Sequence, residues 1–300
     1  MFPAEAQIWI DWHLTNRCNF FCDYCHPQIR HVLNKRHLDE RTPKECAAAF
    51  DAIGPTCGIL MSGGEPFAFP GFVDLCRLLT RKHFIAINTN LSFTEDIRCF
   101  AVSVPTDRVS RILAAVHVEE RERNDLPLED FGRNFRILRD AGYDITAAYV
   151  LHPELLHRAE SDFERLRSAG VDRLVGKVFK GIWQKRRFPR NYNDEELSVV
   201  RKLITDYHVG AAYIDRDWNF SGAACRAGTN SFKVMITGDV RRCVSVPGSL
   251  GNLFDGSFTR RSEPAPCTAK RILVLSECAE HLVERPVEFE ALLGGDRVGK

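Results

Sequence analysis

The sequence predicts an α/β fold of about six strand–helix units, a partial (β/α)6 barrel, followed by a small C-terminal β-hairpin-plus-helix extension. Three observations predict it. Strand-like and helix-like segments alternate from Gln7 to about Tyr207, which implies parallel strands joined by helices. A polar or metal-ligating residue type stands at the end of each successive strand, as a site shared by strand ends requires. After the sixth unit the alternation stops and a glycine-turned hairpin begins.

Gln7–Thr15 reads as the first strand. Thr42-Pro43-Lys44-Glu45 is a capping box with proline at the first helical position. It opens a helix that buries Cys46, Phe50 and Ile53 and closes at Gly54-Pro55. Cys57–Met61 is a strand, Phe72–Leu79 a helix and Phe84–Ile87 a strand. Thr94–Arg111 carries no clear pattern, and Ala114–Val118 is taken as the fourth strand. A helix with Phe131, Phe135 and Leu138 inward ends at Gly142. Ile145–Leu151 is strand, Ser161–Ala169 helix and Leu174–Phe179 strand. Asn193 and Glu196 cap a helix running to about Tyr207. Ser231–Ile236 and Val240–Val244 flank Thr237-Gly238-Asp239 as a hairpin.

The 300 residues carry a net charge of +1, which argues against a dedicated nucleic-acid or anionic-membrane binder. No apolar run is long enough for a membrane helix, and the N-terminus lacks the basic and apolar regions of a signal peptide. The expectation is a soluble cytoplasmic protein. Eleven cysteines in a reducing compartment point to metal or redox chemistry rather than disulfides.

Cys18, Cys22 and Cys25 follow the first strand with C-x3-C-x2-C spacing. Their i, i+4, i+7 placement also fits one face of a core helix. Zinc is a further alternative, with the adjacent His26 as fourth ligand, although neighbouring residues rarely reach one ion. The remaining alternative is an iron–sulfur cluster that leaves one iron without a protein ligand.

Together with Tyr24 just before the last cysteine, and Ser62-Gly63-Gly64-Glu65-Pro66 after the second strand, the triplet resembles the signature of the radical S-adenosylmethionine enzymes over roughly residues 7–215. The resemblance implies a [4Fe–4S] cluster on Cys18, Cys22 and Cys25 whose open iron binds S-adenosylmethionine. Reductive cleavage then gives a 5′-deoxyadenosyl radical that abstracts hydrogen from a substrate, with a flavodoxin or ferredoxin as reductant. It places Tyr24 over the adenine, and Gly63, Gly64, Glu65 and Pro66 beside the cofactor's ammonium, whose donors need acceptors. Asn88, Asn90 and His117 fall where the family holds the ribose and carboxylate.

Cys46, Cys57, Cys76 and Cys99 read as buried core thiols. Cys225, Cys243, Cys267 and Cys278 differ, because they follow the barrel pattern. A cysteine, a hairpin with glycine at its turn and a second cysteine resemble the opening of the SPASM and twitch extensions. Four cysteines suffice for one auxiliary [4Fe–4S] cluster, the twitch form. Ten residues separate Cys267 from Cys278, a wider gap than the pattern usually has. A structural zinc site is the alternative. The expected division is 1–215 for the core domain, 216–285 for the auxiliary domain and 286–300 for a tail.

The expected reaction is hydrogen abstraction from a small polar substrate of sugar, cyclitol or nucleotide type. Net dehydrogenation is favoured, with the auxiliary cluster taking an electron. His152, Lys177 and Lys180 are the candidate bases, and the basic run Lys180–Arg190 around Trp183 is a candidate anion site. The alternatives are crosslinking, thioether formation or epimerisation of a ribosomally made peptide, and a redox-neutral epimerase. The peptide class is expected to carry an N-terminal leader-binding domain before the first strand, where only a few residues stand here. A non-enzymatic iron–sulfur or zinc protein is the alternative outside catalysis.

Overall fold

The computed structural model describes residues 2–25, 33–34, 41–204, 212, 214, 218–269 and 281–284. Six parallel strands lie side by side in chain order: β1 (Ile8–Thr15), β2 (Cys57–Gly63), β3 (Phe84–Thr89), β4 (Val109–Ala115), β5 (Ile145–Leu151) and β6 (Leu174–Val178). The crossover helices are α1 (Pro43–Asp51), α2 (Phe72–Leu79), α3 (Thr94–Ser103), α4 (Val118–Arg123), α5 (Leu128–Asp140) and α6 (Leu156–Ser168). Parallel neighbours need such long connections. The sheet is open, as a partial barrel should be.

The capping box at the start of α1 forms as read: the Thr42 side chain accepts the Glu45 N–H, and Glu45 Oε2 accepts the Thr42 N–H at 2.7 Å. The apolar stripe of α1 packs on the sheet, with the Phe50 ring 4.7 Å from that of Trp12 on β1. After β6 comes a small antiparallel hairpin, β7 (Gly181–Trp183) with β8 (Arg186–Phe188), and then α7 (Asp194–Leu203) behind the Asn193–Glu196 capping box.

The C-terminal segment adds β9 (Ala224–Cys225), β10 (Ser231–Val234), β11 (Val240–Arg241) and β12 (Ala265–Pro266). β10 and β11 form the expected hairpin, and β10 pairs in parallel with β1, which makes an eight-stranded sheet in the order β11-β10-β1-β2-β3-β4-β5-β6. Lys233 Nζ lies 2.5 Å from Asp11 Oδ2 across this seam. β9 pairs with β12, and Cys225 also bridges Leu282.

Three expectations need correction. Cys99 is exposed on α3, outside the core that takes Cys46, Cys57 and Cys76. The fourth strand is Val109–Ala115, earlier than Ala114–Val118, because Val118 opens α4. Thr94–Arg111 holds a full helix and the start of that strand. Phe93 stands at the N-cap of α3 and offers no side-chain cap, so the helix lacks the usual start signal.

Candidate functional site

The three N-terminal cysteines lie on the loop that leaves β1. Cys22 is 8% exposed, and Cys18 and Cys25 are half-buried. Burial pushes the Cys18 thiol up to about 12 and raises that of Cys22 as well, and the charge of Cys25 near each adds to the rise. Deprotonating thiols in this place calls for a compensating positive charge beside them.

The loop is held from several sides. Asn34 accepts the Cys18 N–H on Oδ1 at 3.0 Å and donates from Nδ2 to the Cys18 carbonyl at 2.8 Å. The Phe21 N–H donates to Glu120 Oε2 at 2.6 Å, and Arg123 pairs with Asp23 at 2.9 Å, both from α4. Asn19 donates to Ser92 Oγ at 2.9 Å and accepts from Asn90 Nδ2 at 2.9 Å.

The loop after β2 lies directly against the cysteine loop. The Gly64 N–H donates to the Thr15 carbonyl and the Glu65 N–H to the Arg17 carbonyl, each at 2.7 Å. A Cβ on Gly63 would sit 2.4 Å from the Thr15 carbonyl oxygen, and one on Gly64 would sit 2.1 Å from that of Arg17. The glycines are required here by backbone-on-backbone contact. Glu65, 1% exposed, points away from solvent and accepts from Phe67 N, Thr89 Oγ1 and Asn90 N. Burial pushes its pKa up to about 7, against those donors and Arg121. Glu65 therefore braces the two loops, and Pro66 starts the short buried turn behind it.

Tyr24, His117 and His152 come together. The Tyr24 hydroxyl lies 3.1 Å from His117 Nδ1 and the two rings stack, while the Tyr24 ring centroid is 5.3 Å from that of His152. Burial, with Arg121 and Lys177 nearby, pushes His117 down to about 3, so its imidazole is neutral. His152 is 2% exposed and neither ring nitrogen has a partner. Phe179 and Trp183 each stand 4.7 Å from it, and Trp183 Nε1 is also buried without a partner. Asn88 Oδ1 is buried and unpartnered as well.

Asn90 is engaged at both ends of its carboxamide, by Asn19 and by Ser92. Lys177 is half-buried near His117, whereas Lys180 is exposed at the start of the β7–β8 hairpin, outside the ring cluster. In the basic run, Arg186 forms a two-pronged pair with Glu196 of α7, so its charge is already matched.

Sequence reasoning missed Glu120 and Arg121, and it named Trp183 only as part of the basic run. Glu119–Arg123 alternates charges as a solvated helix would, yet Glu120 and Arg121 are 3% and 1% exposed. Arg121 donates from Nε to the Val116 carbonyl and from Nη2 to the Asn90 carbonyl, and lies over the Phe131 ring. Trp183 stood in the basic run, but nothing local placed it on His152.

In the C-terminal segment, Cys225, Cys243 and Cys267 line one cavity with Arg242 and His281. His281 Nε2 lies 2.5 Å from Ser231 Oγ. Cys278 and His26 lie outside the described residues. Among the described residues, no three His, Cys, Asp or Glu side chains are placed to share one metal ion, and no helix is long and apolar enough to cross a membrane.

The sequence model of the Radical SAM superfamily matches residues 12–166. No curated protein matches the chain in sequence. Among solved structures, the fold is similar to that of Streptococcus suis SuiB bound to S-adenosylmethionine, with 13% identity and a TM-score of 0.56. The match covers 84% of this chain and 64% of SuiB, so the chain spans less than two thirds of that protein. It is likewise similar to native anSMEcpe with bound AdoMet, at 13% identity and a TM-score of 0.57, covering 83% of this chain and 78% of that one.

Proposed function

Since the chain belongs to the radical SAM superfamily, we propose that it abstracts a hydrogen atom from a small polar substrate, with net dehydrogenation of an alcohol as the favoured outcome. The observation that carries this reading is the convergence of the cysteine loop, the Gly63–Glu65 loop and the Tyr24–His117–His152 ring cluster at the strand ends.

Cys18, Cys22 and Cys25 would hold the cluster that binds S-adenosylmethionine. The loop supports this assignment, since Asn34, Glu120 and Asn90 fix its backbone and side chains from three directions. An auxiliary cluster would be held by Cys225, Cys243 and Cys267, a reading supported by the one cavity they line, with Cys278 as the proposed fourth ligand. When bound, the first cluster supplies the electron that cleaves S-adenosylmethionine and the second offers a sink for one electron.

The chain's own residues aim the chemistry. Tyr24 and the neutral His117 offer a flat apolar wall with one polar contact each. His152 and Trp183 offer buried nitrogens that no protein group satisfies, and buried polar groups are normally paired. A substrate hydroxyl can donate to one imidazole nitrogen of His152, which then takes its proton, while the Trp183 N–H donates to a second substrate oxygen. Lys177 adds positive charge near His117.

Peptide maturation is the second class. SuiB has been solved with its precursor peptide SuiA, and anSMEcpe with the Cp18Cys peptide; at 12–13% identity those likenesses concern fold.

Anaerobic protein with dithionite and S-adenosylmethionine should release 5′-deoxyadenosine, and C22A should not. No release above that control would sink the enzyme reading. Reconstituted chain should carry about eight irons, and about four would remove the auxiliary cluster.

A further inference from the structure

Arg242 immediately precedes Cys243 and is 8% exposed. Its Nε donates to the Ala227 carbonyl at 2.8 Å, Nη1 to the Pro266 carbonyl at 2.9 Å and Nη2 to the Ala265 carbonyl at 2.5 Å. Ala227 lies just past Cys225, and Ala265 and Pro266 just before Cys267. One guanidinium thus binds the backbone of two cysteine-bearing segments while its own chain carries the third, and it lines the cavity they share.

Three neutral carbonyls accept from this group, and none of them offsets its charge. Among the described residues no carboxylate pairs with Arg242, in contrast to Arg158, Arg173 and Arg186, each of which meets at least one. A guanidinium stays protonated at every working pH, and a buried charge without a counter-charge is costly. Among the described residues that line this cavity, the groups that can carry negative charge are the cysteines, bound to metal as thiolates. A cluster on four thiolates is net anionic and gains a further negative charge on reduction.

We propose that Arg242 is the built-in counter-charge of a metal–thiolate centre in this cavity, holding the three cysteine segments in place and stabilising the reduced state of the centre. The proposal rests on the auxiliary-cluster reading. A fixed positive charge beside the cluster favours the more negative redox state, so it raises the reduction potential. Arg242 is a positioning residue: it acts on the cluster and touches no substrate.

The test uses the full chain with Cys18, Cys22 and Cys25 all replaced by Ala, so that any iron belongs to the second site. Iron content and an electron-paramagnetic-resonance redox titration are then compared for this background, R242K and R242Q. The expected result is iron in the background, a potential in R242K close to the background, and a shift in R242Q toward the oxidised state. That shift should be at least tenfold in the equilibrium, about 59 mV for one electron. Loss of iron from R242Q with retention in R242K also supports the charge requirement. An R242Q variant that holds iron at an unmoved potential overturns the proposal, and so does equal loss from both variants, which assigns Arg242 to assembly alone. A background chain that binds no iron overturns the auxiliary-cluster reading itself, and Arg242 with it.

Discussion

Glu65 Oε2 accepts the backbone N–H of Asn90 at 2.6 Å. The contact joins the loop after β2 to the end of β3, and Oε1 adds Thr89 and Phe67 to the same carboxylate. Asn90 in turn holds Asn19 on the cysteine loop. The acidic residue of the Gly-Gly-Glu-Pro element therefore fixes the loop after β2, the end of β3 and the cysteine loop relative to one another.

E65Q tests this brace. Gln offers one acceptor oxygen for Phe67 and Thr89, and its amide nitrogen would face the Asn90 N–H donor. A buried donor left unmet costs about 1–3 kcal/mol. The denaturation midpoint should fall accordingly, and an unchanged midpoint would show that the carboxylate braces nothing.

G64A inserts a methyl group 2.1 Å from the Arg17 carbonyl oxygen. The backbone contact between the two loops has to open. Overpacking of this kind costs about 1–3 kcal/mol, and S-adenosylmethionine affinity measured by equilibrium dialysis should drop by at least tenfold. Wild-type affinity would mean that the loop spacing is not critical.

H152F separates substrate handling from cofactor cleavage. Phe fits among Phe179, Trp183 and Tyr24 and removes two unpartnered nitrogens from an apolar site. Stability should hold or rise by about 1 kcal/mol, and uncoupled 5′-deoxyadenosine release should persist, while product formation falls at least tenfold. Burial lowers the His152 pKa below its usual 6.5. The unfolded chain then takes up a proton that the folded one refuses, so wild type loses stability as pH falls below about 6.5. H152F should lack that loss, and parallel pH profiles of the two proteins would refute it.

R186Q and R187Q distinguish structure from anion binding in the basic run. Arg186 is paired with Glu196 and donates to the Asn191 carbonyl, so R186Q should lower thermal stability at unchanged KM. R187Q, on an exposed side chain, should leave stability unchanged. A rise in KM for R186Q at wild-type stability would return Arg186 to the substrate site.

Much of the fold was legible because its signals are local. Phe72–Leu79 and Ile145–Leu151 match their apolar patterns, and both capping boxes form. β4 was displaced because half-buried Ser110 and Arg111 interrupt its apolar run. The β7–β8 hairpin turns through Gln184 and Lys185 at positive φ, where Asn or Gly would normally mark such a turn.

By itself the sequence determined the strand–helix alternation, the cysteine spacings and the glycines where backbones meet, since these depend on residues close along the chain. Only the tertiary structure decided which distant groups meet. It put Lys233 on Asp11, 222 residues away, Trp183 on His152, Glu120 under the cysteine loop and Arg242 across three cysteine segments. Those contacts come from the register of paired strands and the burial of charge against particular carbonyls, and neither is written in any local run of residues.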